Sequence, residues 1–454
     1  MTTQIAGPRT RRAWADHAGW RTRGLRAVLF AGGFGLFASF ALFATQAQAG
    51  TPAQLPPVLT LEWCLERAKS ANPSLEVARA RATAAEHRVK PAGAFDDPRL
   101  SYNASNIPAG DFDFASTPLS GHQFGLRQKL PFPGERSNRR RAAAREATAL
   151  SLSAEDERLA IEATVESAWA ELGFARRALD ITDRNIQLLR QLASTAEARY
   201  RVGNGLQQDV LRAQVELTAR LEERLRREEA IEASAARLVA LLDLPPTTAL
   251  PPIEALGLTT AEPALEPLLI NLDEKSPRLL AARAQVSSAR HRVRATELEG
   301  LPDIDLDVGY RVRRDHPGDA VDGDDFISAG FTLRLPVDRG RWRARAAEQK
   351  ANLRRAEAEL RSARAHLASR VRTAHAQLVR AASEVELLRT GLVPQAQQSL
   401  ESSRSAYKVG RIEFLSLLDS QVRLLNAELR LARATADTHH AFASLESAAG
   451  EKLR

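Results

Sequence analysis

The chain holds one cysteine, Cys64, and one methionine, Met1, in 454 residues. A lone thiol forms no intrachain disulfide and builds no cysteine-clustered metal site. The single thioether likewise excludes a methionine-rich copper site. Aromatics make up only 5% of the residues, against 26% charged side chains. That balance fits poorly with one compact core and well with long helices of Ala, Leu, Arg and Glu. Signatures of catalysis are also missing. There is no phosphate-cradling glycine loop, nucleophile elbow or paired-carboxylate site, so the reading is of a protein that is not an enzyme and carries no cofactor.

The formal charge of +8 could suggest a nucleic-acid partner, but its distribution argues against one. Six arginines stand against the single acid Asp16 in residues 1–49, so five of the eight units lie there. An apolar run, Ala27 to Ala44, and then Ala47-Gln48-Ala49 follow the arginines. This order predicts a secretory leader with an A-x-A cleavage site and a mature chain starting at Gly50, outside the cytoplasm.

The mature chain repeats itself. Pro73–Lys90 aligns without a gap on Pro277–Arg294, with nine of eighteen positions identical. Gly125-Leu126 with Leu130-Pro131 then matches Gly330-Phe331 with Leu335-Pro336. Tyr200-x-Val202-Gly203 with Gln214-Val215 matches Tyr407-x-Val409-Gly410 with Gln421-Val422. With Pro98 meeting Pro302, Leu100 meeting Ile304 and Tyr102 meeting Leu306 at the first offset, four matches in one order predict a unit of about 205 residues used twice. The first copy is expected over 50–243 and the second over 276–454, with a Pro-rich linker at 244–275. Each unit reads as a helix, a strand hairpin (about 98–131 and 302–336) and a long helical hairpin (about 135–243 and 340–449).

The long helices carry an apolar seam. Ile161, Val165, Ala168, Leu172, Ala175, Leu179, Thr182, Ile186, Leu189, Ala193, Ala196 and Tyr200 step by four and three alternately, as in a coiled coil. The second copy repeats the seam from Leu360 to Leu392 with one stutter. A helix from Glu135 to Tyr200 measures about 100 Å at 1.5 Å per residue, longer than compact domains use.

The strands read differently. Ile304, Leu306, Val308, Tyr310 and Val312 alternate with Asp303, Asp305, Asp307, Gly309 and Arg311. A soluble sheet with one wet face would show the same alternation. Segments of about ten residues behind an export signal also suit a tilted crossing of a bilayer. Four strands are too few to close a barrel, and an open edge in lipid leaves backbone groups unsatisfied. Strands that span must therefore be shared among several chains.

These features resemble the TolC family of outer-membrane efflux ducts. The resemblance rests on the duplicated unit, on Gln128-x-x-Pro131-x-Pro133-Gly134, and on both Tyr-x-Val-Gly turns. It implies a mainly α fold with a membrane β-barrel. In that fold a homotrimer shares one twelve-stranded barrel in outer-membrane lipid, above a coiled-coil helical barrel in the periplasm. A periplasmic adaptor and an inner-membrane pump are the implied partners, with no nucleic acid. Adaptor docking is implied at the tip turns, through Tyr200, Val202, Gly203, Val409 and Gly410. The implied gate comprises Asp209, hydrogen-bonded to Tyr407, and Asp419 near the symmetry axis. Ser416 and Ile412 stand where better-known gates carry an acid and an arginine. The turn Pro131-x-Pro133-Gly134-Glu135-Arg136 and the tip Val202 to Asp209 are most similar to the heavy-metal, CzcC-like branch.

Alternation turns Asp303, Asp305 and Asp307 to the barrel lumen, where Arg127, Lys129 and Arg334 could offset them. A calcium loop is set aside, because glycine falls late at Gly309 and Arg314 stands where a bidentate Glu is needed. His366, His375, His439 and His440 form no H-x-x-x-H or H-E-x-x-H pair and read as exposed helix histidines. Cys64 reads as buried and inert. A periplasmic coiled-coil adaptor without a pore is the alternative from another class. It would need one helical hairpin, whereas two hairpins and four amphipathic strands stand here.

Overall fold

A computed structural model describes residues 55–453, apart from 111, 258–261 and 322. The expected leader lies outside the described residues. Each half lays down the same element order. In the first, α1 (Leu61–Ala71) and α2 (Pro73–Ala92) lead to β1 (Arg99–Ser105) and β2 (Gly121–Leu130). Then come α3 (Glu135–Arg201) and α4 (Gln207–Leu241). In the second, α5 (Leu265–Lys275) and α6 (Pro277–Glu299) lead to β3 (Asp303–Val312) and β4 (Phe326–Arg334). The last helices are α7 (Arg339–Leu387), α8 (Val393–Lys408) and α9 (Phe414–Ala449).

Local chemistry explains the helix starts. Asn72 accepts from Ser74 N at 3.0 Å, and Ser276 accepts from Leu279 N at 3.5 Å. Each cap is followed by proline at the first helical position, where its missing N–H costs nothing. Asp338 caps α7 through Arg341 N at 3.0 Å.

The seam of α3 is the core, with Val165, Leu172 and Leu189 essentially inaccessible. Thr182, its one polar member, is buried and donates to Ala178 O at 2.8 Å, so its hydroxyl is satisfied. In the second half the seam holds from Leu367 through Leu388 and then fails, because Leu392 is 38% exposed. The cause is a π-helical turn, Leu388–Leu392, in which Val393 N bonds Leu388 O. A π turn inserts one residue into the helix. Ile161, Val165, Ala168 and Leu172 lie 206 residues before Leu367, Val371, Ala374 and Leu378, whereas Leu189, Ala193 and Tyr200 lie 207 before Ala396, Leu400 and Tyr407. Pro394 follows the turn, where its ring would otherwise meet the carbonyl four residues back. Burial then resumes at Ala396, Leu400 and Tyr407.

The four strands form one antiparallel sheet in the order β1-β2-β3-β4. β1 has seven residues, shorter than the expected ten, because the chain turns at Asn106 with φ of +52°. The outer edges of β1 and β4 have no strand beside them among the described residues. No described helix is long and apolar enough to cross a membrane.

The linker is not wholly irregular. Its last eleven residues form α5, which buries Leu268 and Leu272 against Val371, Leu378 and Phe442. Upstream, Ile253 bridges Leu59 in parallel, and Arg176 donates to Leu250 O at 3.1 Å and to Pro251 O at 2.6 Å.

Candidate functional site

Strand β3 inverts the exposure of a soluble strand. Along β3 the apolar Ile304, Leu306, Val308 and Tyr310 are exposed, while Asp303, Asp305 and Asp307 between them are partly covered. On that polar face Lys129 meets Asp303 at 3.4 Å and Arg334 meets Asp305 at 3.8 Å. Arg127 pairs with Asp307 directly across β2 and β3. Ser101, Gly125, Gly309 and Ser328 occupy one register level across all four strands. Small side chains there leave a polar groove, and a Cβ on Gly309 would lie 2.6 Å from Ser328 Oγ. The outward apolar face and inward charge ladder are what a wall between lipid and water requires.

At the other end both Tyr-x-Val-Gly segments close their helices with the same Schellman geometry. Gly203 N bonds Tyr200 O at 3.0 Å and Asn204 N bonds Arg199 O at 2.9 Å. Gly410 N bonds Tyr407 O at 3.0 Å and Arg411 N bonds Ala406 O at 2.9 Å. Gly203 and Gly410 sit at φ of +79° and +77°, the left-handed region that a Cβ disfavours. Val202 and Val409 are left 70% and 68% exposed at the two turns.

The two tyrosines have different surroundings. Tyr200 is 45% exposed, whereas Tyr407 is 3% exposed and packs on Phe414 at 5.4 Å between ring centroids. The expected bond from Asp209 to Tyr407 is not formed. Among the described residues the Tyr407 hydroxyl meets no partner, and burial raises its pKa, assisted by the nearby Asp209 carboxylate. Asp209 instead occupies the first turn of α4, where its charge opposes the helix dipole. Tyr407 is held by Arg199, whose guanidinium lies 4.7 Å from the ring centroid and donates to the Tyr407 carbonyl. Arg199 also donates to Asn204 O at 3.0 Å, tying the two tips together. An arginine from the first tip thus stands by the tyrosine, although position 412 carries isoleucine. Ala406 occupies the position equivalent to Arg199 in the second copy, so comparing the repeats offered a signal.

Asp419 and Ser416 lie on one exposed face of α9, and Asp419 pairs with Arg423 at 2.9 Å. The five tip residues Tyr200, Val202, Gly203, Val409 and Gly410 are brought to the two turns, but Tyr407 turns inward.

A further polar centre lies midway along the helices. His439 was expected to be exposed, yet it is 7% exposed. Its Nε2 lies 2.9 Å from Gly257 O and its Nδ1 3.4 Å from Glu166. His440 lies 3.3 Å from Glu171, which also accepts from Arg433 at 2.7 Å. The hydrogen bond to His440, aided by Arg433, lowers the Glu171 carboxyl to about 2. His375 meets Pro263 O at 3.0 Å. His439 and His375 thus fasten the linker to the helices, His440 instead ties α9 to α3, and no group of metal-holding side chains occurs among the described residues. Cys64 is fully buried, and desolvation pushes its thiol up to about 12.

The sequence profile described as outer membrane efflux protein matches residues 64–243 and 268–451. Protein CyaE of Bordetella pertussis is 29% identical over 231 residues, which cover 50% of this chain and 49% of that protein. The chain thus spans about half the length of the curated relative it matches. Among solved structures, the outer-membrane channel OprN superposes with a TM-score of 0.73 at 20% identity, covering 86% of this chain and 89% of that one. The outer membrane protein VceC of Vibrio cholerae gives 0.72 at 21% identity, covering 87% and 97%. CusC gives 0.73 at 16% identity, covering 86% and 92%. At these identities the likeness is one of fold.

Proposed function

The chain belongs to the outer membrane efflux protein family, and on that premise we propose that it is the passive exit duct of a tripartite efflux system. The family is one of outer-membrane channels and not of enzymes. Three copies would join β1 to β4 of a neighbour, closing twelve strands and leaving no open edge in lipid. An adaptor would dock on the exposed tip valines, and an inner-membrane pump would supply the energy. The observation that carries this reading is the inverted exposure along β3, apolar residues exposed and charge-paired aspartates partly covered, at the end of a helix about 100 Å long. The barrel lumen is read as lined by Asp303, Asp305, Asp307, Arg127, Lys129 and Arg334. The gate is read at the tips, from Asp209, Tyr407 and Asp419.

Membrane fractionation and planar bilayers test the duct. Recovery from outer membranes only with detergent, with discrete single-channel currents, is the expected result. A soluble periplasmic pool without conductance would sink it and favour an adaptor. For cargo we propose heavy-metal cations, on the similarity of the Pro133-Gly134-Glu135-Arg136 turn and the Val202–Asp209 tip to the CzcC-like branch. A deletion strain should then become sensitive to zinc, cadmium, cobalt or copper. Sensitivity confined to antibiotics would instead make the protein a multidrug-efflux duct, and loss of a secreted protein a type I protein-secretion duct.

A further inference from the structure

Where β4 passes into α7, the apolar face of the sheet opens on a cavity of about 770 Å³ between α6 and α7. Pro302, Leu335 and Val337 line one side. Pro302 continues the exposed row Ile304, Leu306, and Leu335 continues the row Leu333, Phe331, so the cavity lies on the lipid-facing side. Arg339, Trp342 and Arg343 line the other side.

The charges around this junction are unevenly matched. On the polar face Arg139 meets Glu135 at 2.6 Å and Glu299 at 2.8 Å, and Arg345 meets Glu299 at 3.8 Å. On the lipid-facing side the one lining carboxylate, Glu297, is already held by Lys350 at 3.1 Å and Arg294 at 3.4 Å. Arg339 and Arg343 are exposed, and neither guanidinium has an ion-pair or hydrogen-bond partner among the described residues; the Arg339 backbone N–H is bonded, to Val337 O at 2.9 Å. Four apart on one helix, they are neighbours of like charge that repel unless an anion joins them. Trp342 lies beside them, at the level where tryptophan and arginine favour a membrane–water boundary.

We propose that this cavity binds the phosphate of an anionic glycerophospholipid in the periplasmic leaflet. Arg339 and Arg343 flank the phosphate, and an acyl chain lies along Leu335, Leu333 and Phe331. The site would fix the height of the barrel in the membrane at the point where strands become helices. This inference rests on reading the sheet as part of a membrane-spanning barrel.

The test uses the full chain in neutral detergent, mixed with phosphatidylglycerol or phosphatidylcholine, with bound lipid read by native mass spectrometry. Phosphatidylglycerol should be retained in preference. Arg339→Gln with Arg343→Gln should weaken it by on the order of 30-fold, and millimolar inorganic phosphate should not displace it. The control Arg354→Gln with Arg361→Gln, two exposed arginines further along α7, should change binding by less than about twofold. Equal loss in both double variants, or in neither, overturns the site, and displacement by inorganic phosphate assigns it to a soluble anion. A protein that needs no detergent and holds neither lipid would instead defeat the barrel reading itself.

Discussion

The two tips share a sequence and a backbone but not an environment. Both end in Tyr-x-Val-Gly, and both use the same pair of hydrogen bonds around a left-handed glycine. Yet Tyr200 faces solvent while Tyr407 is enclosed by Phe414 and Arg199. The lesson is that a repeat preserves what local sequence can dictate and releases what packing decides. The Schellman turn needs only glycine in the right place. Burial of the tyrosine depends on which neighbour the other hairpin presents.

The largest effect that would separate the tips is truncation of the rings. Tyr407→Ala should cost about 3 kcal/mol, and Tyr200→Ala less than about 0.5 kcal/mol, as read from protease resistance and thermal unfolding. Equal costs would break the comparison. Tyr407→Phe sharpens it, because that hydroxyl is buried without a partner. The phenylalanine should be neutral or stabilising by up to about 1 kcal/mol. A clear loss would restore the bond to Asp209 that the resemblance implied.

Next come the glycines. Gly203→Ala and Gly410→Ala should each cost about 1 kcal/mol, since both hold positive φ. The two costs should be alike, because an added Cβ finds no neighbour within 4 Å at Gly203 and only an ordinary contact of 3.4 Å with the flexible Arg199 Nη2 at Gly410. Replacing Arg199 with Gln should loosen the joined tips by about 1 kcal/mol and raise basal conductance in planar bilayers. Asp419→Ala should also raise it; unchanged single-channel current would leave Asp419 only its ion pair with Arg423.

The smallest effect lies midway along the helices and depends on pH. The Glu171 carboxyl is lowered from 4.5 to about 2, so its contribution is complete above about 4.5 and is lost as pH falls towards 2. Melting temperature against pH should fall over that window, and Glu171→Gln should flatten that part of the curve. An unchanged curve would show that His440 and Arg433 do not hold the carboxylate in solution.

Much of the fold is legible in the sequence. The repeat that begins at Pro73 and Pro277 marks two matching helices, and the seam of α3 needs only its three-four spacing. The alternation in β3 gave its two faces, because side chains in a strand must alternate. The tip network was not legible to the same degree. Arg199 reaches Tyr407 across 208 positions, and no local pattern encodes that pairing. His439 departs from the expected exposure for a similar reason, whereas His366 is exposed as expected. A polar residue on a helix reads as exposed until the linker carbonyls of Gly257 and Pro263 are laid across it.

By itself, then, the sequence determined the duplicated order of elements, the length and seam of the helices, the two-faced strands and the glycine turns. Each follows from period or backbone preference, which act over a few residues. Tertiary structure alone decided which tyrosine is enclosed, where the π turn absorbs one residue, and which arginines stay without carboxylates beside the sheet. Those outcomes depend on the distance and direction between residues far apart in the chain, and these exist only once the hairpins are packed side by side.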